Sequence, residues 1–304
     1  MSLETDDLPP AAPRFGPLPV RPFYWSVRRE LWEHPAVWMV PAAVAALTVL
    51  GFVLGSAGLA GRVRAATGGD PAALHRLMLP YAVAAAASLV SAALAGAYYS
   101  LVSLQGERRD RSLLFWKSLP VADRTAVLAK AAVPLLVQPV VVLAVTVAAH
   151  LAMLAWGTIV LPLAGVDPRL LWIHAFPGFM WVVMAYSLPF LALWHAPVVA
   201  YLMLVSAWAR RAPFLWTVVP PVMLGILERM VFSSHHVFDL IRDRLVGGMV
   251  RTMGVGGGGR TPLRTLGDID IARVLGAPGL WIGLVVAALM LAAAIRLRRR
   301  LEPN

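Results

Sequence analysis

Six stretches of the chain contain no Asp, Glu, Lys or Arg: 36–61, 77–106, 131–166, 170–209, 212–227 and 274–295. A helix crossing the hydrocarbon core of a bilayer needs about 20 apolar residues, so five of the six are long enough unaided. The shortest, 212–227, is extended by Met230, Val231 and Phe232 beyond Glu228 and Arg229, a pair suited to the headgroup level. The 170–209 run holds Pro177, Pro189 and Pro197 and reads either as one kinked helix or as two short spans. Hydrophobic residues make up 59% of the chain and charged residues 14%, against roughly 45–50% and about 25% in soluble domains. So few charges cannot cover that much apolar surface in water. The expected fold is all-α and polytopic, with six transmembrane helices near 36–60, 77–104, 131–161, 177–208, 213–232 and 276–295.

Charge placement orients them. With both termini in the cytoplasm, the cytoplasmic segments hold sixteen Lys and Arg residues, and the two short outer loops hold four: Arg62, Arg64, Arg76 and Arg169. That is the bias expected of a multi-pass membrane protein. The long outer loop, 233–275, obeys the rule weakly. A seventh span would place the basic tail, 296–304 with Arg296, Arg298, Arg299 and Arg300, outside. The same topology explains the net charge of +11, and no basic stretch is interleaved with aromatics as a nucleic-acid surface would require.

Residues 1–21 are acidic and Pro-rich without an apolar core, so they read as a disordered cytoplasmic tail rather than a secretory signal. The next segment, 22–34, mixes aromatics with charge at helical spacing. Tyr24, Val27 and Leu31 fall on one face, with Arg28 and Arg29 away from it. The pattern predicts an amphipathic helix lying in the interface, with Trp25 and Trp32 at headgroup level beside Arg28, Arg29 and Glu30.

Several chemistries lack their parts. The chain has no cysteine, no G-x-x-x-x-G-K-[ST] phosphate loop and no H-E-x-x-H, which removes thiolate chemistry, P-loop nucleotide binding and the commoner metalloprotease site. Gly254–Gly259 matches a dinucleotide fingerprint only formally, following no strand, and reads as a flexible hinge. His235, His236 and Asp239 read as polar interface residues; His150, His195 and Gln138 read as groups bonded to neighbouring helices. Gly51 and Gly55 permit close helix approach. No catalytic residue, cofactor or metal is expected. Nor do the spans carry the deep Asp, Glu, Lys or Arg that ion-coupled transporters use, so the energy for any transport comes from elsewhere.

The cytoplasmic loop 105–130 carries the most information. Mixed charge (Glu107, Arg108, Arg109, Asp110, Arg111) leads into Ser112-Leu113-Leu114-Phe115-Trp116-Lys117-Ser118-Leu119, which Pro120 terminates; Asp123 is placed to cap the next helix. A short helix with Leu114, Phe115 and Trp116 outside the membrane must bury them in the lipid interface or in a groove of another protein. Glu107 through Pro120, with Lys130 at the head of the next span, resembles the loop between spans two and three of bacterial ATP-binding-cassette (ABC) permeases of the ABC type-2 class. The six-span layout, the aromatic-basic helix before span one and Leu227–Phe232 match as well. The resemblance implies the permease subunit of an exporter that pairs with a separate ABC ATPase and a second permease, identical or different. It implies that Glu107, Arg108, Arg109, Asp110, Arg111, Leu114, Phe115, Trp116, Lys117 and Pro120 form the ATPase-coupling element. The alternatives are a non-transporting membrane scaffold or sensor recruiting a cytoplasmic partner, and an intramembrane lipid-modifying enzyme.

Overall fold

A computed structural model describes residues 21–109, 122–209, 211–248 and 271–300, and among these every regular element is a helix. In chain order they are α1 (Pro22–Glu33), α2 (Ala36–Leu54), α3 (Leu59–Thr67), α4 (Pro71–Arg109), α5 (Asp123–Ala132), α6 (Gln138–Leu163), α7 (Arg169–Ala175), α8 (Gly178–Trp208), α9 (Pro213–Phe232), α10 (His236–Arg242), α11 (Ile271–Leu275) and α12 (Pro278–Arg300). Six helical stretches are long and apolar enough to cross a membrane: α2, α4, α5 with α6, α7 with α8, α9 and α12. The chain is a multi-pass membrane protein.

Proline explains most of the breaks. The 170–209 run gives one spanning helix, not two: Pro177 separates the seven-residue α7 from α8, while Pro189 and Pro197 lie inside α8 without ending it. Between α5 and α6 the backbone widens into a π turn, Val133–Val137. Pro134 has no N–H to return to the carbonyl of Lys130, and inserting one residue into the turn accommodates the loss. The first span closes at Leu54, short of the expected 60. A 3₁₀ turn and α3 follow it, where periodicity alone suggested a loop.

The bundle has two ends, named here from α1: the proximal end, where α1 lies, and the distal end. At the distal end, Phe52 of α2, Leu59 and Val63 of α3, Tyr81 of α4, Met153, Leu154 and Leu161 of α6 and Leu171 of α7 bury one another. At the proximal end, Leu104 of α4, Val127 and Ala131 of α5, Met203 and Ala207 of α8 and Ala294 of α12 do the same. Between them α8 and α12 meet through Ala196, Ala200 and Ala287, a small-residue contact of the kind that lets helices approach closely in lipid.

The stretch 233–275, expected as an irregular loop, contains α10. Ser233 adopts a left-handed conformation at the end of α9 (φ 51°), and the chain reverses so that Phe238 packs on Gly225, where a Cβ would come within 2.6 Å of the ring. Glu228 caps the returning helix by accepting from Ser234 Oγ and from the backbone N–H groups of His236 and Val237. Below α10, Trp194 Nε1 donates to the Asp243 carbonyl, and the Arg244 guanidinium lies 4.7 Å from the Trp194 ring while donating to the Gly279 carbonyl.

Gln138 donates to the Ala92 carbonyl of α4 across a gap opened by Gly96: a Cβ there would fall 2.1 Å from Gln138 Oε1. Gly96→Ala is expected to destabilise the chain by about 1–3 kcal/mol through overpacking, and Gln138→Ala on that background to recover part of the loss. Thermal unfolding of the detergent-solubilised single and double variants measures both; additive losses would contradict the contact.

Candidate functional site

One carboxylate drawn inside the bundle gathers partners from three helices. Glu30 sits on α1, a helix started by Pro22 at its first turn, where the missing N–H costs nothing. Val27 and Leu31 of the same face pack against Val37, Tyr99 and Val133, and this carries Glu30 inward until only 2% of it remains exposed. Lys130, the eighth residue of α5, is 1% exposed and places its Nζ 2.7 Å from Glu30 Oε1. Tyr99 of α4 donates its hydroxyl to Oε2 at 2.8 Å, and Arg29 Nη2 reaches Oε1 at 3.0 Å. His34 stands over the edge of the Tyr99 ring, 5.1 Å between centroids.

Burial pushes the Glu30 carboxyl upward, yet the Lys130 charge, hydrogen bonds from Lys130 and Tyr99 and the nearby Arg29 outweigh it, so the group stands below the ordinary carboxylate value of 4.5. His34 is lowered from 6.5, first by burial, with Lys130 and Arg29 adding to it against Glu30 and Glu33. Among the described residues, Glu30, Glu33 and His34 bring three potential metal-ligand atoms within 4.8 Å of one another. Those oxygens already face cations, Glu30 as above and Glu33 with Arg29 at 3.3 Å, so the donor set is spent on ion pairs.

The outer face of α1 is different. Trp25 and Trp32 are exposed, and the Arg28 guanidinium lies over both rings at 5.2 and 4.7 Å. Arg21, Trp25, Arg28 and Trp32 therefore form one stripe, opposite Val27, Glu30 and Leu31. Two details differ from the sequence reading. Tyr24, in line with Val27 and Leu31 on the helix, is nonetheless exposed, and Glu30 belongs to the buried face. The signal for Glu30 was present, since it lies three residues after Val27 and one before Leu31, but its charge suggested the opposite placement.

Asp123 shows a second departure. It opens α5 without capping it; its carboxylate instead accepts from Arg298 Nε of α12 at 3.0 Å, with both side chains largely buried. Glu107, Arg108 and Arg109 form the last turn of α4. Asp110, Arg111, Leu114, Phe115, Trp116, Lys117 and Pro120 lie outside the described residues, as do 1–20 and Gly254–Gly259. What the structure does describe is how both flanks of 110–121 are held. Tyr99 before it and Lys130 after it meet on Glu30; Ser206 of α8 accepts the backbone N–H groups of Leu104 and Gln105; and Asp123 ties α5 to α12. His150, Gln138 and His195 all bond to carbonyls: His150 and Gln138 to α4, His195 to its own helix and to Leu245.

No protein-family model, curated protein or solved structure matches the chain.

Removing one partner of a buried ion pair leaves the other charge uncompensated, at a cost of about 3–5 kcal/mol. Glu30→Ala and Lys130→Ala are each expected to lower thermal stability by that order, and the double variant Glu30→Met with Lys130→Met to regain most of it; three equally unstable proteins would contradict the pairing. The pH dependence has two parts. The unfolded chain protonates His34 more readily than the folded one, so stability falls as pH drops below about 6.5. Glu30, depressed when folded, contributes stability above about 4.5 that is lost as pH falls through its lower folded value. His34→Gln should abolish the first decline in a melting series and leave the second.

Proposed function

We propose that the chain is the membrane-spanning permease subunit of an ATP-driven ABC transporter of the type-2 class, working as an exporter in a bacterial inner membrane with both termini in the cytoplasm. It pairs with a second permease and with a separate ATPase that receives the 107–120 loop. On this reading the proximal end is cytoplasmic and α1 lies in the interface, its Arg21–Trp25–Arg28–Trp32 stripe at headgroup level.

One observation carries the proposal: the residues on either side of the loop, Tyr99 and Lys130, bond the same buried carboxylate of α1. A segment that only linked two spans would need no such brace. A segment that is pushed would, because a displacement of 110–121 can reach the bundle only through rigidly held flanks. The missing phosphate loop and the scarcity of charge within the spans support the same division of labour, in which the chain neither binds nucleotide in the P-loop manner nor couples to an ion through carboxylates deep in its spans.

In such a mechanism Phe115 and Trp116 fill an apolar cleft of the ATPase while Arg108, Arg109 and Arg111 meet its acidic groups. An aromatic at the centre of such an interface costs about 2 kcal/mol or more when truncated, which is roughly thirtyfold in affinity. Trp116→Ala is therefore expected to reduce co-purification of an ATPase from native membranes by at least tenfold, with insertion and yield unchanged. The wild-type chain purified alone should hydrolyse no ATP. Intrinsic hydrolysis, or an undiminished complex with Trp116→Ala, would overturn the assignment; a partner without ATPase activity would favour a scaffold or sensor.

A further inference from the structure

The charges of α1 are sorted by face. Those on its inner face and flank are matched: Glu30 holds Lys130, and Arg29 lies between Glu30 and Glu33 at 3.0 and 3.3 Å. Those on the outer face are all positive. Arg21, at the head of the helix, and Arg28, two turns on, are exposed. Among the described residues neither side chain makes an ion pair or a hydrogen bond.

Arg28 is nevertheless held. The indole rings of Trp25, one turn before it, and Trp32, one turn after it, are centred 5.2 and 4.7 Å from its guanidinium carbon. A guanidinium resting on aromatic rings keeps its charge, and its five N–H donors stay unused. Such a planar fork fits two oxygens of one phosphate. At this spacing Arg21, Trp25, Arg28 and Trp32 run along one line of the helix.

The depth of that line follows from what α1 is tied to. Only His34 and Pro35 separate α1 from the first span, α2, whose opening turn carries the exposed Trp38 and Met39. Glu30 fastens α1 to Tyr99 and Lys130. From Tyr99, α4 runs on to Arg109, about 15 Å at 1.5 Å per residue, and α5 starts at Asp123, about 10 Å before Lys130. Thus α1 lies back from the tip of the proximal end, beside the point where a span enters the bilayer. The surface its outer face meets there is the headgroup layer, not a soluble protein seated on the tip.

We propose that Arg21, Trp25, Arg28 and Trp32 form a binding surface for phospholipids of net negative charge. Arg28, flanked by its indoles, takes the phosphodiester of one lipid, Arg21 meets the charge of a neighbour, and both tryptophans sit among the headgroups. A zwitterionic lipid offers the same phosphate beside a compensating cation and is held less well. Each basic residue near an anionic leaflet is worth about fivefold in association. The site rests on the interfacial placement of α1 in the function proposed above, and not on the ATPase.

The cysteine-free chain allows a direct test. Tyr24→Cys, exposed beside the stripe, carries a single fluorophore on the full chain, reconstituted in phosphatidylcholine vesicles. A minor fraction of the lipid bears a nitroxide quencher at the top of one acyl chain, on phosphatidylglycerol in one series and on phosphatidylcholine in the other. Phosphatidylglycerol is expected to associate roughly fivefold or more in preference to phosphatidylcholine. Arg28→Gln should cut that preference by at least half, and Arg21→Gln with Arg28→Gln should abolish it. Arg28→Lys, which keeps the charge without the fork, should fall between wild type and Arg28→Gln. Arg124→Gln, which removes another exposed charge at the same end, should leave the preference unchanged. A preference that survives in the double variant would overturn the site. So would equal quenching by both lipids in the wild type, the result expected of a stripe reserved for an acidic protein. Quenching by neither lipid would remove the interfacial placement itself, and this site with it.

Discussion

The proximal half of the bundle depends on the contact between Glu30 and Lys130. Neither charge has a reason to leave water alone, since the cost of desolvating an unpaired ion far exceeds what a helix gains by docking. Paired at 2.7 Å, with Tyr99 and Arg29 completing the carboxylate's hydrogen bonds, they can be buried together, and they take with them the elements they belong to. The apolar stripe of α1 is short, with Val27 and Leu31 as its main contributions to the core. Apolar burial at about 1.5–3 kcal/mol per side chain favours docking but does not specify one register. The carboxylate does: shifting α1 by a residue would bury Arg29 or Leu31 against the Lys130 ammonium.

How much of this was legible follows from the physics of each element. The spans were, because lipid demands about 20 apolar residues in a row and the chain marks their limits with charge. Element ends set by packing were not. α4 and α8, with 39 and 31 residues, are about 58 and 46 Å long at 1.5 Å per residue, more than a hydrocarbon core of about 30 Å requires. The distal turns of α4 are covered by α3 and α7, helices of nine and seven residues whose burial of Leu59, Val63 and Leu171 has no periodic signature at that length. The same holds for α10, which depends on Gly225 to admit Phe238 and on Glu228 to cap it.

Glu30 and Asp123 escaped for a different reason. Glu30 was grouped with the charges of the interfacial helix and Asp123 was assigned to a cap, when the determining groups, Lys130 and Arg298, lie 100 and 175 residues away in sequence. Long-range charge pairing is invisible to local periodicity. Lys130 was the better clue: a lysine opening an apolar span must either snorkel to the interface or find an anion, and in this fold it finds Glu30.

Polarity is graded along the bundle. Ion pairs fill the proximal end, neutral hydroxyls and an amide the middle, and an imidazole bonded to an indole the distal part. Removing one partner of a buried ion pair leaves the other charge uncompensated, so the pairs at the proximal end fix α1 to α5 and α5 to α12. On the proposed reading, a force applied to 110–121 would meet α1, α5 and the end of α4 already tied to one another. Beyond them the π turn at Pro134 interrupts the regular ladder of the helix.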